Sequence, residues 1–175
     1  NTLPGMVSGR VVTLVNRNKG TMNVTNQPLQ TGITPVGVAV ADFNKDGQSD
    51  IAVSNFDLSG IKYTVSVFLN KGAGFYENGG LSSLSIPVEC KNPGAIALSD
   101  TDGDQNPDLV ISCTGESKIV VFKNNGMLNV EPYYLATDLQ PKNFALGDIN
   151  GDAVADLIVP CAGANRINIF LNKQG

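Results

Sequence analysis

A nine-residue acidic phrase recurs three times in this chain of 175 residues, each copy set between two apolar runs: Asp42 to Asp50, Asp100 to Asp108 and Asp148 to Asp156. Asp holds the first, fifth and ninth positions of every copy, and the third is Asn44, Asp102 or Asn150. One loop repeated at a fixed place between strand-sized runs means one structural unit used several times, which confines the chain to repeat architectures. Hard oxygen donors at alternate positions of a tight turn are also what calcium needs, since it takes six to eight oxygens at about 2.3 to 2.6 Å.

The charge inventory follows the loops. Of the 16 acidic residues, 10 lie in them: Asp42, Asp46, Asp50, Asp100, Asp102, Asp104, Asp108, Asp148, Asp152 and Asp156. Three or four carboxylates within nine residues repel one another, and a solvated turn has no reason to accept that repulsion unless a cation offsets it. Outside the loops 11 Lys and Arg stand against 6 acids, so the net charge of −4 belongs to the loops, and three bound Ca²⁺ would bring it to +2. The basic residues are too scattered for a nucleic-acid patch. No apolar run approaches the roughly 18 to 20 residues of a membrane helix, so no membrane insertion is expected. A first residue of Asn1 rather than Met suggests a mature product or an excised piece.

The loops begin 58 and then 48 residues apart, a unit of about 50 residues whose difference falls mainly on insertions at Phe56 to Tyr63 and Gly72 to Ser83. Each unit reads as a strand A entering the loop (36–41, 95–99, 144–147) and a strand B leaving it (51–54, 109–112, 157–159). A strand C ending in Asn follows: Val65 to Asn70, Ile119 to Asn124 and Ile167 to Asn172, with an earlier copy at Val11 to Asn16. A weaker fourth strand is expected near Ser85 to Val88 and Tyr133 to Ala136. β-Branched residues where strands should be, with Gly, Pro and Asn between them and no helical periodicity, predict an all-β fold. Four antiparallel strands in about 50 residues make one β-propeller blade, whose faces are covered by its neighbours. Residues 1–175 are therefore one propeller region, with repeats at 36–88, 95–136 and 144–175 and residues 11–34 as part of a preceding blade. Three loops are too few for a closed ring of four to eight blades, so the propeller is partial or is completed by several chains as a homo-oligomer.

At these residues the chain resembles the FG-GAP/VCBS repeat family, the calcium-loop blades of integrin α-chain propellers and of many secreted bacterial and fungal proteins. The resemblance rests on the Asp-x-(Asn/Asp)-x-Asp-x-x-x-Asp loops, the exit strands beginning Asp50-Ile51, Asp108-Leu109 and Asp156-Leu157, and the phrase Val65 to Gly72. It implies about three Ca²⁺ with a structural role. The ligands would be the side chains of Asp42, Asn44, Asp46 and Asp50, of Asp100, Asp102, Asp104 and Asp108, and of Asp148, Asn150, Asp152 and Asp156, with the backbone carbonyls of Gln48, Asn106 and Val154. It also implies a secreted or cell-surface binding or adhesion scaffold with a protein or glycan ligand. One departure stands out: position six, often Gly, is Gly47 in the first loop but Gln105 and Ala153 in the others, which carry Gly103 and Gly151 at position four. If position six needs a positive φ, the second and third loops bear about 1 kcal/mol of strain or more.

Other readings of the same residues fit less well. An EF-hand needs a bidentate Glu at position twelve, where this chain has Val53, Ile111 and Val159. Catalysis by paired carboxylates calls for one asymmetric constellation, whereas here every cluster repeats one role, and the chain has no His. A lectin-like propeller remains an alternative, with Tyr63, Tyr76, Tyr133 and Tyr134 as surface candidates, while Phe68, Phe122 and Phe170 share one strand position and read as inter-blade core. A non-catalytic domain of a larger secreted enzyme is another. Among the three Cys, antiparallel pairing would bring Cys90 near Cys113, and either a disulfide or free thiols at strand ends would suit; Cys161 occupies the same repeat position as Cys113.

Overall fold

The computed structural model describes residues 9–16, 22–56, 63–72, 76–78, 84–85, 90–125 and 130–172. Among them fourteen strands form four antiparallel sheets, and no helix is present. Strands β1 (Arg10–Asn16) and β2 (Met22–Gln30) make a two-stranded sheet. Next come β3 (Pro35–Ala41), β4 (Asp50–Phe56) and β5 (Tyr63–Asn70), in that spatial order. The expected fourth strand of this sheet is divided: β6 (Tyr76–Asn78) and β7 (Leu84–Ser85) both pair with β5, one at each end of it. The third sheet is a complete meander of β8 (Pro93–Ser99), β9 (Asp108–Cys113), β10 (Lys118–Asn124) and β11 (Val130–Ala136). The last holds β12 (Ala145–Gly147), β13 (Asp156–Cys161) and β14 (Arg166–Phe170). The insertions, apart from Phe56, Tyr63, Gly72 and 76–78, lie outside the described residues, as do 86–89.

These sheets are blades because their middle strands are buried on both faces. Every residue of β9 is buried, the signature of a short continuous apolar run rather than an alternating one. From β5, Val65, Val67 and Leu69 pack forward against Ile96, Leu109, Ile111, Val120 and Phe122 of the next blade. Val110, Ile119 and Val121 then pack forward against Leu157, Val159 and Phe170. Backward, Ile51, Val53 and Phe68 meet Val11 and Leu29 of the first sheet. Phe68, Phe122 and Phe170 thus each face the preceding blade, as their shared strand position predicts. Strands β3 and β8 approach so closely that a Cβ on Gly37 would lie 2.9 Å from Ile96 Cγ2, so no larger residue fits there.

The turn ahead of each strand A is tied down by a different chemistry in each blade. Ten residues before the first loop, Gly32 N–H donates to Ser66 Oγ (3.3 Å). At the same place before the second loop, Cys90 forms a disulfide with Cys113, with Cα atoms 5.1 Å apart. Before the third, Asp138 and Asn168 exchange two hydrogen bonds, Asp138 N to Asn168 Oδ1 at 2.7 Å and Asn168 Nδ2 to Asp138 Oδ2 at 2.9 Å. The thiol of Cys161 is therefore left free and buried, 3.2 Å from Asn168 Oδ1. Closing a loop of 23 residues removes chain entropy from the unfolded state worth about 3 kcal/mol. A Cys90→Ala/Cys113→Ala variant should lose about that much in urea denaturation, with the Cys161→Ala variant as the control for burial alone.

Candidate metal centre

The three acidic loops fold into one hydrogen-bonded cage. The first-position carboxylate curls inward: Oδ2 of Asp42, Asp100 and Asp148 accepts the position-six N–H of Gly47, Gln105 and Ala153, at 2.8 Å in each case. Its Oδ1 accepts from position four in the second and third loops (Gly103 and Gly151, both 2.7 Å) and from Asp46 N at position five in the first (3.0 Å). The fifth-position carboxylate then accepts the position-seven N–H: Gln48 to Asp46 at 2.9 Å, Asn106 to Asp104 at 2.7 Å and Val154 to Asp152 at 2.9 Å. Asp and Asn supply such short-range turns better than any other residue.

Turning this sharply requires two left-handed residues per loop. Position six has φ of 84°, 67° and 67° at Gly47, Gln105 and Ala153, and position four has 58°, 83° and 83° at Lys45, Gly103 and Gly151. The first loop is therefore no more relaxed than the others. Each places glycine at one of the two sites and carries one strained residue at the other, Lys45, Gln105 or Ala153.

The ninth-position Asp works differently, for Asp50, Asp108 and Asp156 have no solvent exposure at all. One oxygen of each accepts the N–H of loop position two: Phe43 at 2.9 Å, Thr101 at 2.9 Å and Ile149 at 3.0 Å. The other accepts the N–H of the Asn after strand C, with Asn70, Asn124 and Asn172 all at 2.8 Å. The Thr101 hydroxyl adds a further bond to Asp108. These Asn were visible in the sequence as the repeated end of strand C, but their attachment to the loops was not. Burial pushes the Asp50 and Asp108 carboxyls above the ordinary carboxylate value, against the pull of those backbone donors. A raised value favours the protonated acid in the metal-free fold, a contribution present at low pH and lost as pH rises through it. A cation needs the ionised form and so takes the proton's place.

The donor set is entirely oxygen, which suits Ca²⁺ or Mg²⁺ rather than a thiolate- or imidazole-seeking metal. Carboxylate oxygens of Asp100, Asp102 and Asp108 lie within 4.8 Å of one another. In the first and third loops the third residue is an amide, and its Nδ2 donates to the fifth Asp: Asn44 to Asp46 at 3.0 Å and Asn150 to Asp152 at 2.9 Å. The second loop has Asp102 there instead, and Lys123 Nζ answers it at 3.1 Å. The extra carboxylate thus comes with its own counter-charge. Asp104 is held below the usual range by the N–H and side-chain amide of Asn106, and Asp148 by the N–H groups of Ala153 and Gly151.

Known proteins share this pattern. A family model described as an FG-GAP-like repeat matches residues 5–53 and 100–159, more than half of the chain. The chain belongs to the FG-GAP-like repeat family. A relative, phosphatidylinositol-glycan-specific phospholipase D of Rattus norvegicus, is 41% identical over 83 residues, which cover 43% of this chain and 10% of that protein. The FG-GAP chain therefore spans about a tenth of this relative's length. Elsewhere on the FG-GAP blades the four tyrosines do not form one platform. Tyr63 stacks on Phe56 (centroids 5.6 Å apart) and packs on the core, as does Tyr76, while Tyr133 and Tyr134 are neighbours on β11. Tyr133 lines a cavity of about 320 Å³ between the last two sheets, whose other walls include Val110, Val121, Leu135, Leu157 and Phe170.

Ninth-position and fifth-position Asp should separate on mutation. Asp108→Ala leaves the buried donors of Thr101 and Asn124 unpaired and should destabilise the calcium-free protein by about 3 kcal/mol. Asp104→Ala, at an exposed position, should change it by less than about 1 kcal/mol. Urea denaturation in EDTA measures both.

Proposed function

We propose that the chain is a calcium-stabilised run of propeller blades that serves as an extracellular binding or adhesion scaffold. The observation that supports this is the inward-curled first Asp repeated in three loops, where its Oδ2 accepts the position-six N–H, with carboxylate oxygens of positions one, three and nine within 4.8 Å of one another in the second loop. Asp42, Asn44, Asp46 and Asp50, with the Gln48 carbonyl, would hold one ion. Asp100, Asp102, Asp104 and Asp108 with the Asn106 carbonyl, and Asp148, Asn150, Asp152 and Asp156 with the Val154 carbonyl, would hold two more. Bound calcium would supply the positive charge that offsets the clustered carboxylates, and nothing in this role calls for catalysis. Membership of a repeat family and a disulfide between Cys90 and Cys113 support a secreted or surface location, where disulfides persist. The phospholipase activity in the name of the rat relative is not carried over, because the match touches only a tenth of that protein.

Exposed apolar residues on the second and last sheets support completion of the scaffold by further blades. Ile167, Ile169 and Leu171 occupy the strand positions of Val65, Val67 and Leu69, which are buried in the next blade, yet they are 62%, 56% and 51% exposed. On β3 of the second sheet, beside the two-stranded first sheet, Val38 and Val40, equivalent to Ile96 and Leu98, are also exposed. These faces fit further blades of the same repeat, supplied by a second copy when the chain stands by itself. A protein or glycan ligand would then bind on the assembled scaffold.

Two measurements test this reading. Removing calcium with EDTA should lower the thermal midpoint, since a hundredfold excess of calcium over its Kd is worth about 2.7 kcal/mol per site; an unchanged midpoint would reject structural calcium. Asp104→Ala should reduce the calcium stoichiometry by one. For the open ends, sedimentation should give a mass above the 18.4 kDa of one chain. The Ile167→Lys/Ile169→Lys variant should return the mass to that value without unfolding the blades.

A further inference from the structure

The Asn that closes each strand C reaches beyond its own blade. Asn124 Nδ2 donates to Pro107 O of its own loop (3.2 Å) and to Phe43 O of the preceding loop (2.9 Å). Asn172 Nδ2 likewise donates to Ala155 O (3.4 Å) and to Thr101 O of the second loop. Phe43 and Thr101 are the second residues of their loops, and their N–H groups are the ones bound by Asp50 and Asp108. The position-two residue is thus held on one side by the Asp of its own loop and on the other by the Asn of the next blade. A single chain of hydrogen bonds runs through Asp50, Phe43, Asn124, Asp108, Thr101, Asn172 and Asp156. Its three Asp are fully buried and Asn124 is 1% exposed, so water does not compete for the links of Asn124 to Asp108 and Phe43, while Thr101 and Asn172 are partly exposed.

We propose that Asn124 and Asn172 couple cation binding between adjacent loops, so that calcium in one raises the affinity of the next. The proposal rests on the calcium reading above. An ion that orders the second loop fixes Asp108, and with it the backbone of Asn124 and the reach of its amide to Phe43. The first loop then has its entry already placed when its own ion arrives. Linkage makes the effect mutual, and these bonds supply a contiguous physical path that can carry the coupling. Asn70 is the built-in comparison. Its amide donates to Ser49 O of its own loop (3.1 Å) and its Oδ1 accepts from Gly72 N (2.9 Å), both within its own blade.

The loops can be read one at a time through the amides of Gly47, Gly103 and Gly151, each of which donates to the first Asp of its loop. Calcium is titrated into ¹⁵N-labelled protein and the midpoint at each glycine is followed by NMR. Disabling the second loop with Asp104→Ala should weaken the Gly47 midpoint in the first loop about five-fold, the low end of typical coupling. In the Asn124→Ala background the same Asp104→Ala change should leave Gly47 where Asn124→Ala alone put it, whereas Asn70→Ala should preserve the response. A Gly47 midpoint indifferent to Asp104→Ala while Asn124 is intact would overturn the coupling. If no glycine amide responds to calcium in the unmodified chain, the calcium reading falls first and the coupling with it. Should Asn124→Ala not fold, the second interface gives the same test through Asn172→Ala and Asp152→Ala, read at Gly103.

Discussion

A buried carboxylate that accepts two backbone amides from opposite directions is the constraint on which each blade depends. Asp50, Asp108 and Asp156 join the entrance of the acidic loop to the far end of strand C, two points more than a dozen residues apart along the chain. Without that staple the loop would have no fixed floor and strand C no fixed end. The outer part of the loop, where Asp42, Asp46 and their counterparts curl around their own N–H groups, is by contrast solvent-facing and locally determined. The acidic loop therefore has two halves with different physics: a dry anchor, whose Asp108 oxygen in the second loop still lies within 4.8 Å of those of Asp100 and Asp102, and a wet outer turn.

This division explains what the sequence makes legible. The loops, the strands on either side of them and the facing of Phe68, Phe122 and Phe170 could be read directly, because repetition at fixed spacing and uninterrupted apolar runs are local signals. The role of Asn70, Asn124 and Asn172 could not, because an Asn after a strand reads equally well as a turn former, and its partners lie up to 81 residues away. The strain pattern was legible only in part. Position six is left-handed as expected, but position four is too, so Lys45 in the first loop carries what Gln105 and Ala153 carry in the others. The tyrosines divide: Tyr133 and Tyr134 are exposed as expected, whereas Tyr63 and Tyr76 are half-buried against apolar clusters. For the pair Cys90 and Cys113, strand pairing narrowed the choice and only the fold decided it.

The blades also differ in how they treat charge while keeping one geometry. All three loops temper the fifth Asp with a neighbouring amide, from position three in the first and third and from Asn106 at position seven in the second, which also tempers its added carboxylate with Lys123 from strand β10. Lys123 occupies the strand position that holds Leu69 and Leu171 in the other blades. A forward-facing apolar position has thus become the counter-ion of a loop, which ties the electrostatics of the rim to the packing of the strand below it.

The turn before strand A gives this architecture an interchangeable part. A hydroxyl, a disulfide and an amide–carboxylate pair occupy the same slot in successive blades, through Ser66, Cys90 with Cys113, and Asn168 with Asp138. Only the middle one is sensitive to reductant. Thiol chemistry would therefore loosen this molecule at a single internal seam and leave its flanking blades closed, a weak point set by one pair of residues within an otherwise repetitive design.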